Sequence, residues 1–359
     1  MATGAQRDKN ELREGVARWV RDHGDLVPGR SEDGRPLEVT GVDHAAGGMA
    51  NETVMVEMGR GHPGMVLRLP PLEPTFPGTD LSAQAAVQNA VAAAGIPAPA
   101  PTVFVSDLRW IGTPFLVMPR VNGIIPGPAP VFDPMITGAS PERQRSYVDG
   151  LLDTLAAVHS VDWQASGIGP LLPGPRLDGT LDDWTRYVEW AGEGAPLPVL
   201  GAALSWCRRH QPPAAVGDDP GDAPALVWGD PRLGNLVFDE AGVVHAVLDW
   251  DLAAIGPPEM DLGWYFGLEF MMDRLFGQRV PGFPERAEAV ETYQRRSGHT
   301  VSNLAWHEVF ALVRALAIND RHQRIAAAQR QGTTGRGRPD RRTENPMIEI
   351  LSARIDAAG

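Results

Sequence analysis

Leu226-Val-Trp-Gly-Asp-Pro-Arg-Leu-Gly-Asn-Leu-Val-Phe-Asp-Glu-Ala-Gly-Val-Val-His-Ala-Val-Leu-Asp249-Trp-Asp251 alternates short apolar runs with polar breaks, and the rest of the chain is read outward from it. The apolar runs have the length of short strands, and Asp230 and Asn235 flank the loop between the first two. A turn through Asp239 to Gly242 sends the chain back along Val243 to Leu248, which delivers Asp249. Three polar side chains thus leave strand ends in positions from which all can face one cleft. The plainer alternative is that Asp and Asn merely end strands and cap turns, as they often do.

Upstream lies a different kind of sequence. Glu11 to His23 carries Leu12, Val16, Trp19 and Val20 at helical spacing, and Gly24, Pro28, Gly29 and Gly34 mark a loop after it. Leu37–Val42, Thr53–Met58 and Met65–Leu69 read as a three-strand antiparallel meander. A helix follows at Leu81–Ala94, stopped by Gly95 and Pro97, and then strands at Thr102–Val105 and Phe115–Met118. From Asn122 to Ala139 the Gly and Pro density marks a crossing segment. Beyond it the pattern turns helical: Ser140–His159, Leu181–Trp190, Leu197–His210, and most of the chain after Asp249, interrupted by a polar segment at Gln331–Arg342 that should be mobile. Gln211–Pro224 should be an exposed loop. The expected architecture is α+β, with a small five-stranded antiparallel lobe over residues 1–121 and a larger, mainly helical lobe over residues 122–359.

Composition narrows the function classes. The 359 residues are 43% hydrophobic and 21% charged, as in a globular protein. No apolar run approaches the ~20 residues of a membrane helix, and Met1–Asn10 lacks the apolar core of a signal peptide, so a cytoplasmic protein without a membrane partner is expected. A net charge of -13 disfavours nucleic acid as a partner. Cys207 is the single cysteine, which excludes an internal disulfide and a cysteine-rich zinc site. Lys9 is the single lysine, so no G-x-x-x-x-G-K-S/T phosphate loop can exist.

The chemistry that suits the quoted stretch is phosphoryl transfer, which needs a carboxylate near the attacking hydroxyl and oxygen ligands for magnesium. Trp228-Gly229-Asp230, Asn235 and Asp249-Trp250-Asp251, followed by Asp261-Leu262-Gly263-Trp264, resemble the aminoglycoside phosphotransferase-like family. Members of that family carry an H-G-D-x-x-x-x-N loop, a later D-x-D/E after a strand, and a D-L-A-W segment. The resemblance covers nearly the whole chain and implies a two-lobed, protein-kinase-like fold. It further implies that Asp230 is the catalytic base or hydroxyl-orienting residue, and that Asn235 and Asp249 hold Mg2+ on the phosphates of ATP, or of GTP in its place. Asp251 then stands behind them. Trp228 replaces the family's histidine, so the hydrogen bond of that imidazole must be lost or remade. Arg232, inside the loop, either touches the transferred phosphate or bonds a loop carbonyl.

The first lobe can be read against the same resemblance. Gly47, Gly48 and Asn51 fall between the first two strands, where a glycine-bearing loop covers the nucleotide phosphates in such folds; an ordinary hairpin turn fits as well. Arg68 stands in the third strand where kinases place a phosphate-contacting lysine. The helix that should supply its glutamate partner offers Gln84. Met118, Pro119 and Val121 resemble the hinge whose backbone meets the adenine edge. Two decoys fail on context. Gly59–Gly64 spells G-x-G-x-x-G but joins two strands and opens no helix, and His307-Glu308 lacks the second histidine of H-E-x-x-H because Ala311 stands there. The resulting expectation is a kinase acting on a hydroxyl of a small molecule, aminoglycoside-like or another metabolite. Kinases of hydroxyacyl-CoA-type acceptors and a catalytically weak nucleotide-binding regulator are the alternatives; the sequence leaves the oligomeric state open.

Overall fold

The computed structural model describes residues 6–29, 37–45, 51–59, 61–174, 176–213, 223–334 and 342–358. They gather into two compact units, the first comprising residues 1–92, 98–121 and 322–338 and the second residues 93–97, 122–321 and 339–359.

In the first unit, α1 (Lys9–Asp22) begins where Asp8 accepts hydrogen bonds from the backbone N–H of Asn10 and Glu11, which relieves two of the orphan donors at a helix start. Five antiparallel strands follow, β1 (Val39–His44), β2 (Glu52–Met58), β3 (Met65–Leu69), β4 (Val103–Val105) and β5 (Phe115–Pro119), in the order β1-β2-β3-β5-β4. Alternation along the strands divides the side chains between two faces. Val54, Val56, Leu67, Leu69, Phe115 and Val117 pack with Leu12, Val16 and Trp19 of α1. Leu116 and Met118 point the other way, onto α2 (Leu81–Ala93) with its Leu81 and Ala85. The first strand differs from its expected span, because Asp43 and His44 pair with Met55 and Val54 and extend β1 beyond the apolar run. An edge strand tolerates polar residues, so hydrophobicity alone stops short of its end.

The second unit is built on helices: α3 (Pro134–Thr137), α4 (Pro141–His159), α5 (Leu177–Ala191), α6 (Pro198–Arg209), α7 (Glu259–Phe276), α8 (Arg286–Ser297), α9 (Leu304–Thr334, reaching into the first unit) and α10 (Met347–Ala358). Ser140 caps α4 through Arg143 N–H, and Pro141 occupies the first turn, where its missing donor costs nothing. Leu151, Leu152, Leu155 and Val158 of α4 are buried, as are Val309, Phe310, Val313 and Leu316 of α9. Between the helices lie two small antiparallel pairs, β6 (Ala225–Val227) with β9 (Ala254–Gly256) and β7 (Leu236–Phe238) with β8 (Val244–Val247). The crossing segment is tied to this core where Ile124 and Phe238 exchange backbone hydrogen bonds of 2.8 and 2.9 Å. No helix among the described residues is long and apolar enough to cross a membrane.

Candidate active site

The loop between β6 and β7 brings Asp230, Arg232 and Asn235 together. Asp230 follows Gly229, whose φ of 93° suits glycine, and an added Cβ there would stand 2.1 Å from the Leu252 carbonyl oxygen. Oδ2 of Asp230 accepts from Arg232 Nε at 3.0 Å and from Asn235 Nδ2 at 2.8 Å, while Oδ1 accepts from the Trp264 indole at 2.7 Å. Asn235 Nδ2 also donates to the Asp230 carbonyl at 3.0 Å. Both of its partners are acceptors, so the nitrogen must face them and the amide oxygen is turned away. Burial pushes the Asp230 pKa up, Arg232 pulls it back, and the charge of Asp249 adds to the rise. For Arg232, burial works against the charged form, and the Asp230 carboxylate outweighs it to raise the pKa.

Arg232, read from sequence as touching the transferred phosphate or bonding a loop carbonyl, pairs through Nε with the Asp230 carboxylate. Asp249 arrives at the end of β8 with φ of 61°, a left-handed conformation that aspartate tolerates better than most residues. The neighbouring Leu248 N–H donates to the Asn235 carbonyl at 2.9 Å, which ties the segment carrying Asp249 to the loop. The Trp228 indole, in the place of the family's histidine, donates to the carbonyls of Leu248 and Asp249 at 2.9 and 3.1 Å and so ties the loop to the segment after β8.

Three residues that sequence reasoning passed over as site components hold this loop from behind. Asp261, fully buried on α7, accepts from Trp228 N–H at 2.8 Å and Gly229 N–H at 2.7 Å, and its third contact is His159 Nε2 at 3.0 Å. Arg314 of α9 donates to the Gly229 carbonyl at 3.2 Å, and its guanidinium lies over the Trp264 and Trp184 rings at 4.6 and 5.0 Å. Burial pushes the Arg314 pKa down to about 10, against the pull of Asp261 and Asp230, so it remains a cation at neutral pH. Trp264 completes the set. The Asp261–Trp264 segment was the available signal, since an acid inside so apolar a run as Met260–Phe266 has to be paired.

The residues predicted in the first unit are placed as follows. Asn51 is buried just before β2. Arg68 pairs with Thr53 on β2 and Leu116 on β5, half-buried on the α2 face of the sheet. The described α2 holds no acidic residue to meet it, and Gln84 Oε1 is buried without a hydrogen bond. Met118 is 5% exposed and packs against α2, with its sulfur 3.7 Å from Gln88 Nε2. Pro119 ends β5 opposite Met65, and Val121 follows, half-buried. Gly47 and Gly48 lie outside the described residues.

The Phosphotransferase enzyme family profile matches residues 42–310, which includes the whole loop and the supporting Asp261 and Trp264, and ends just before Arg314. The chain belongs to the phosphotransferase enzyme family. Relatives of this phosphotransferase include acyl-CoA dehydrogenase family member 10 of Mus musculus, 29% identical over 79% of the chain and 26% of the relative, and member 11 of Rattus norvegicus, 29% identical over 82% and 39%. The matched region is therefore well under half of those longer proteins. Among solved structures, a Ralstonia eutropha protein provisionally assigned as an aminoglycoside phosphotransferase superposes with a TM-score of 0.68 at 22% identity, covering 96% of this chain and 98% of that one. The GDP complex of aminoglycoside 2'-phosphotransferase-IIIa superposes with a TM-score of 0.56 at 16% identity, covering 98% and 100%. The fold is that of the protein-kinase-like phosphotransferases.

Proposed function

We propose that this phosphotransferase moves the γ-phosphoryl group of ATP, with Mg2+, onto the hydroxyl of a small molecule, and that Asp230 takes or orients the hydroxyl proton. The observation that carries this reading is the Asp230 carboxylate, held by donors from Arg232, Asn235 and Trp264 and buried enough to raise its proton affinity. Asn235 and Asp249 offer the hard oxygen donors that suit magnesium, which usually takes one or two protein ligands and completes its shell with phosphate and water. Bound there, the ion would neutralise charge on the phosphates as the transfer proceeds. This chain's own residues fix the reacting geometry: Asn235 aims its amide oxygen away from Asp230, and Arg232 keeps the carboxylate oriented. Arg68 and Asn51, with Gly47 and Gly48, are the candidates for gripping the nucleotide phosphates; Pro119 and Val121 for the base.

For the acceptor we favour a hydroxyacyl thioester of the hydroxyacyl-CoA type. The relatives named for acyl-CoA dehydrogenases support that class. Three of the acids that could attract a cationic aminoglycoside are engaged in ion pairs, Asp182 with Arg208 at 2.7 Å, Asp183 with Arg186, and Glu193, just past α5, with Arg321 at 2.6 Å. The test is Mg2+-dependent phosphoryl transfer from ATP across hydroxyacyl-CoA thioesters, free hydroxy acids and aminoglycosides, comparing wild type with Asp230→Ala. A phosphorylated thioester that Asp230→Ala fails to make is the expected result. Transfer to aminoglycosides alone would refute the acceptor class, and nucleotide binding with no transfer to any acceptor would refute the kinase reading.

A further inference from the structure

Counting the acceptor sites on Asp230 shows which oxygen does the work. A carboxylate oxygen accepts two hydrogen bonds. Oδ2 is filled, one site by Arg232 Nε and the other by Asn235 Nδ2. Among the described residues, Oδ1 accepts only from the Trp264 indole, at 2.7 Å, and keeps one site. The ring that makes this bond is itself fixed, because Arg314 lies 4.6 Å from its centroid and anchors by donation to the Gly229 carbonyl, the peptide that carries Asp230. One buried arginine thus registers the loop backbone against the ring that holds the loop's side chain.

We propose that Trp264, backed by Arg314, is a positioning residue that presents Oδ1 of Asp230 as the one oxygen open to the acceptor hydroxyl. This rests on the phosphotransferase reading and deepens it. In the step so defined, the acceptor's O–H proton passes to Oδ1 of Asp230 and the acceptor oxygen forms a bond to the γ-phosphorus. The bond from that phosphorus to the β–γ bridging oxygen breaks, and the nucleotide diphosphate leaves with the electron pair. The indole N–H keeps the second lone pair of Oδ1 occupied and the carboxylate plane fixed, so the remaining lone pair has one direction.

The experiment replaces Trp264 with benzothienylalanine, an isostere in which sulfur stands for the N–H, alongside Trp264→Phe and Arg314→Lys. The isostere preserves ring volume and the stack on Arg314, so a purely structural role for Trp264 predicts wild-type turnover. The proposal predicts that kcat for transfer falls about tenfold to hundredfold while KM for nucleotide and for acceptor stays unchanged. It also predicts that the Trp264 indole N–H resonance, assigned by its loss in Trp264→Phe, moves in Asp230→Ala. Wild-type kcat in the benzothienylalanine protein, or an indole resonance indifferent to Asp230→Ala, overturns the assignment. Wild-type protein that transfers no phosphoryl group overturns the parent reading and this one with it, so the two failures are separable.

Discussion

Replacing Asp261 with Asn removes a charge and changes almost no volume, which makes it a clean probe of how the catalytic loop is held. Asp261 is fully buried and takes three donors, Trp228 N–H and His159 Nε2 on Oδ2 and Gly229 N–H on Oδ1. An amide has one accepting oxygen. If its nitrogen takes the Oδ2 position, the imidazole can switch tautomer and accept, since its other nitrogen lies 2.7 Å from the Tyr293 hydroxyl, but Trp228 N–H is orphaned. If the nitrogen takes the Oδ1 position, Gly229 N–H is orphaned instead. Either way one buried backbone donor goes unpaired at a cost of about 1–3 kcal/mol, and the surviving bonds drop from charge-assisted to neutral strength. Arg314 also loses a counter-charge. The loss should be about 2–4 kcal/mol, set against a total stability on the order of 5–15 kcal/mol, so the variant should fold with a visibly earlier guanidinium midpoint. Hydrogen exchange at Trp228 and Gly229 should quicken, and phosphoryl transfer should fall with Asp230 displaced. Asp261→Asn protein with an unchanged midpoint and unchanged exchange at both amides would refute the claim that Asp261 anchors the loop.

Gly229→Ala should be more damaging than a surface Gly→Ala, because the left-handed φ of 93° costs about 1–2 kcal/mol for an L side chain before the 2.1 Å approach to the Leu252 carbonyl is relieved; thermal unfolding and transfer activity both read it. His307 is buried, and burial pushes its pKa down to about 4 against the opposing charge of Glu259. In the unfolded chain this ring titrates near ~6.5, so its protonation favours unfolding as the pH drops. The contribution is absent as a penalty above about pH 6.5 and grows to about 3 kcal/mol of lost stability as the pH approaches 4. His307→Leu should flatten that part of an acid-unfolding curve.

What the sequence disclosed follows from the range of the interactions. The five strands and their flanking helices rest on local patterns, apolar alternation and glycine turns, and they are present. Asp230, Asn235 and Asp249 were visible because the loop and the hairpin that assemble them are short. The part their supports play was not, because each acts through a long-range contact: Trp264 lies 34 positions from Asp230, and Arg314 lies 85 from Gly229. An arginine within a helix reads as solvated until the fold shows it sandwiched between two indoles. Met118 illustrates the reverse limit, since strand alternation places a side chain on a face without saying what covers that face, and here α2 covers it.

The loop is held by buried charge where apolar packing would ordinarily serve, and the reason lies in a single residue. Gly229 has no side chain to pack, and the Leu252 carbonyl leaves no room for one. Its position can therefore be fixed only through its backbone N–H and C=O. Asp261 takes the N–H and Arg314 meets the C=O, so opposite charges grip the two successive peptide groups on either side of the Gly229 Cα. Each charge alone would be costly at 0% and 2% exposure. Together they offset one another's burial, and Arg314 stays protonated because Asp261 and Asp230 are near. An apolar replacement of both could stabilise the fold while freeing the peptide to rotate, and the carboxylate that follows it would lose its fixed direction. The arrangement trades stability for orientation, as a site that acts by positioning requires.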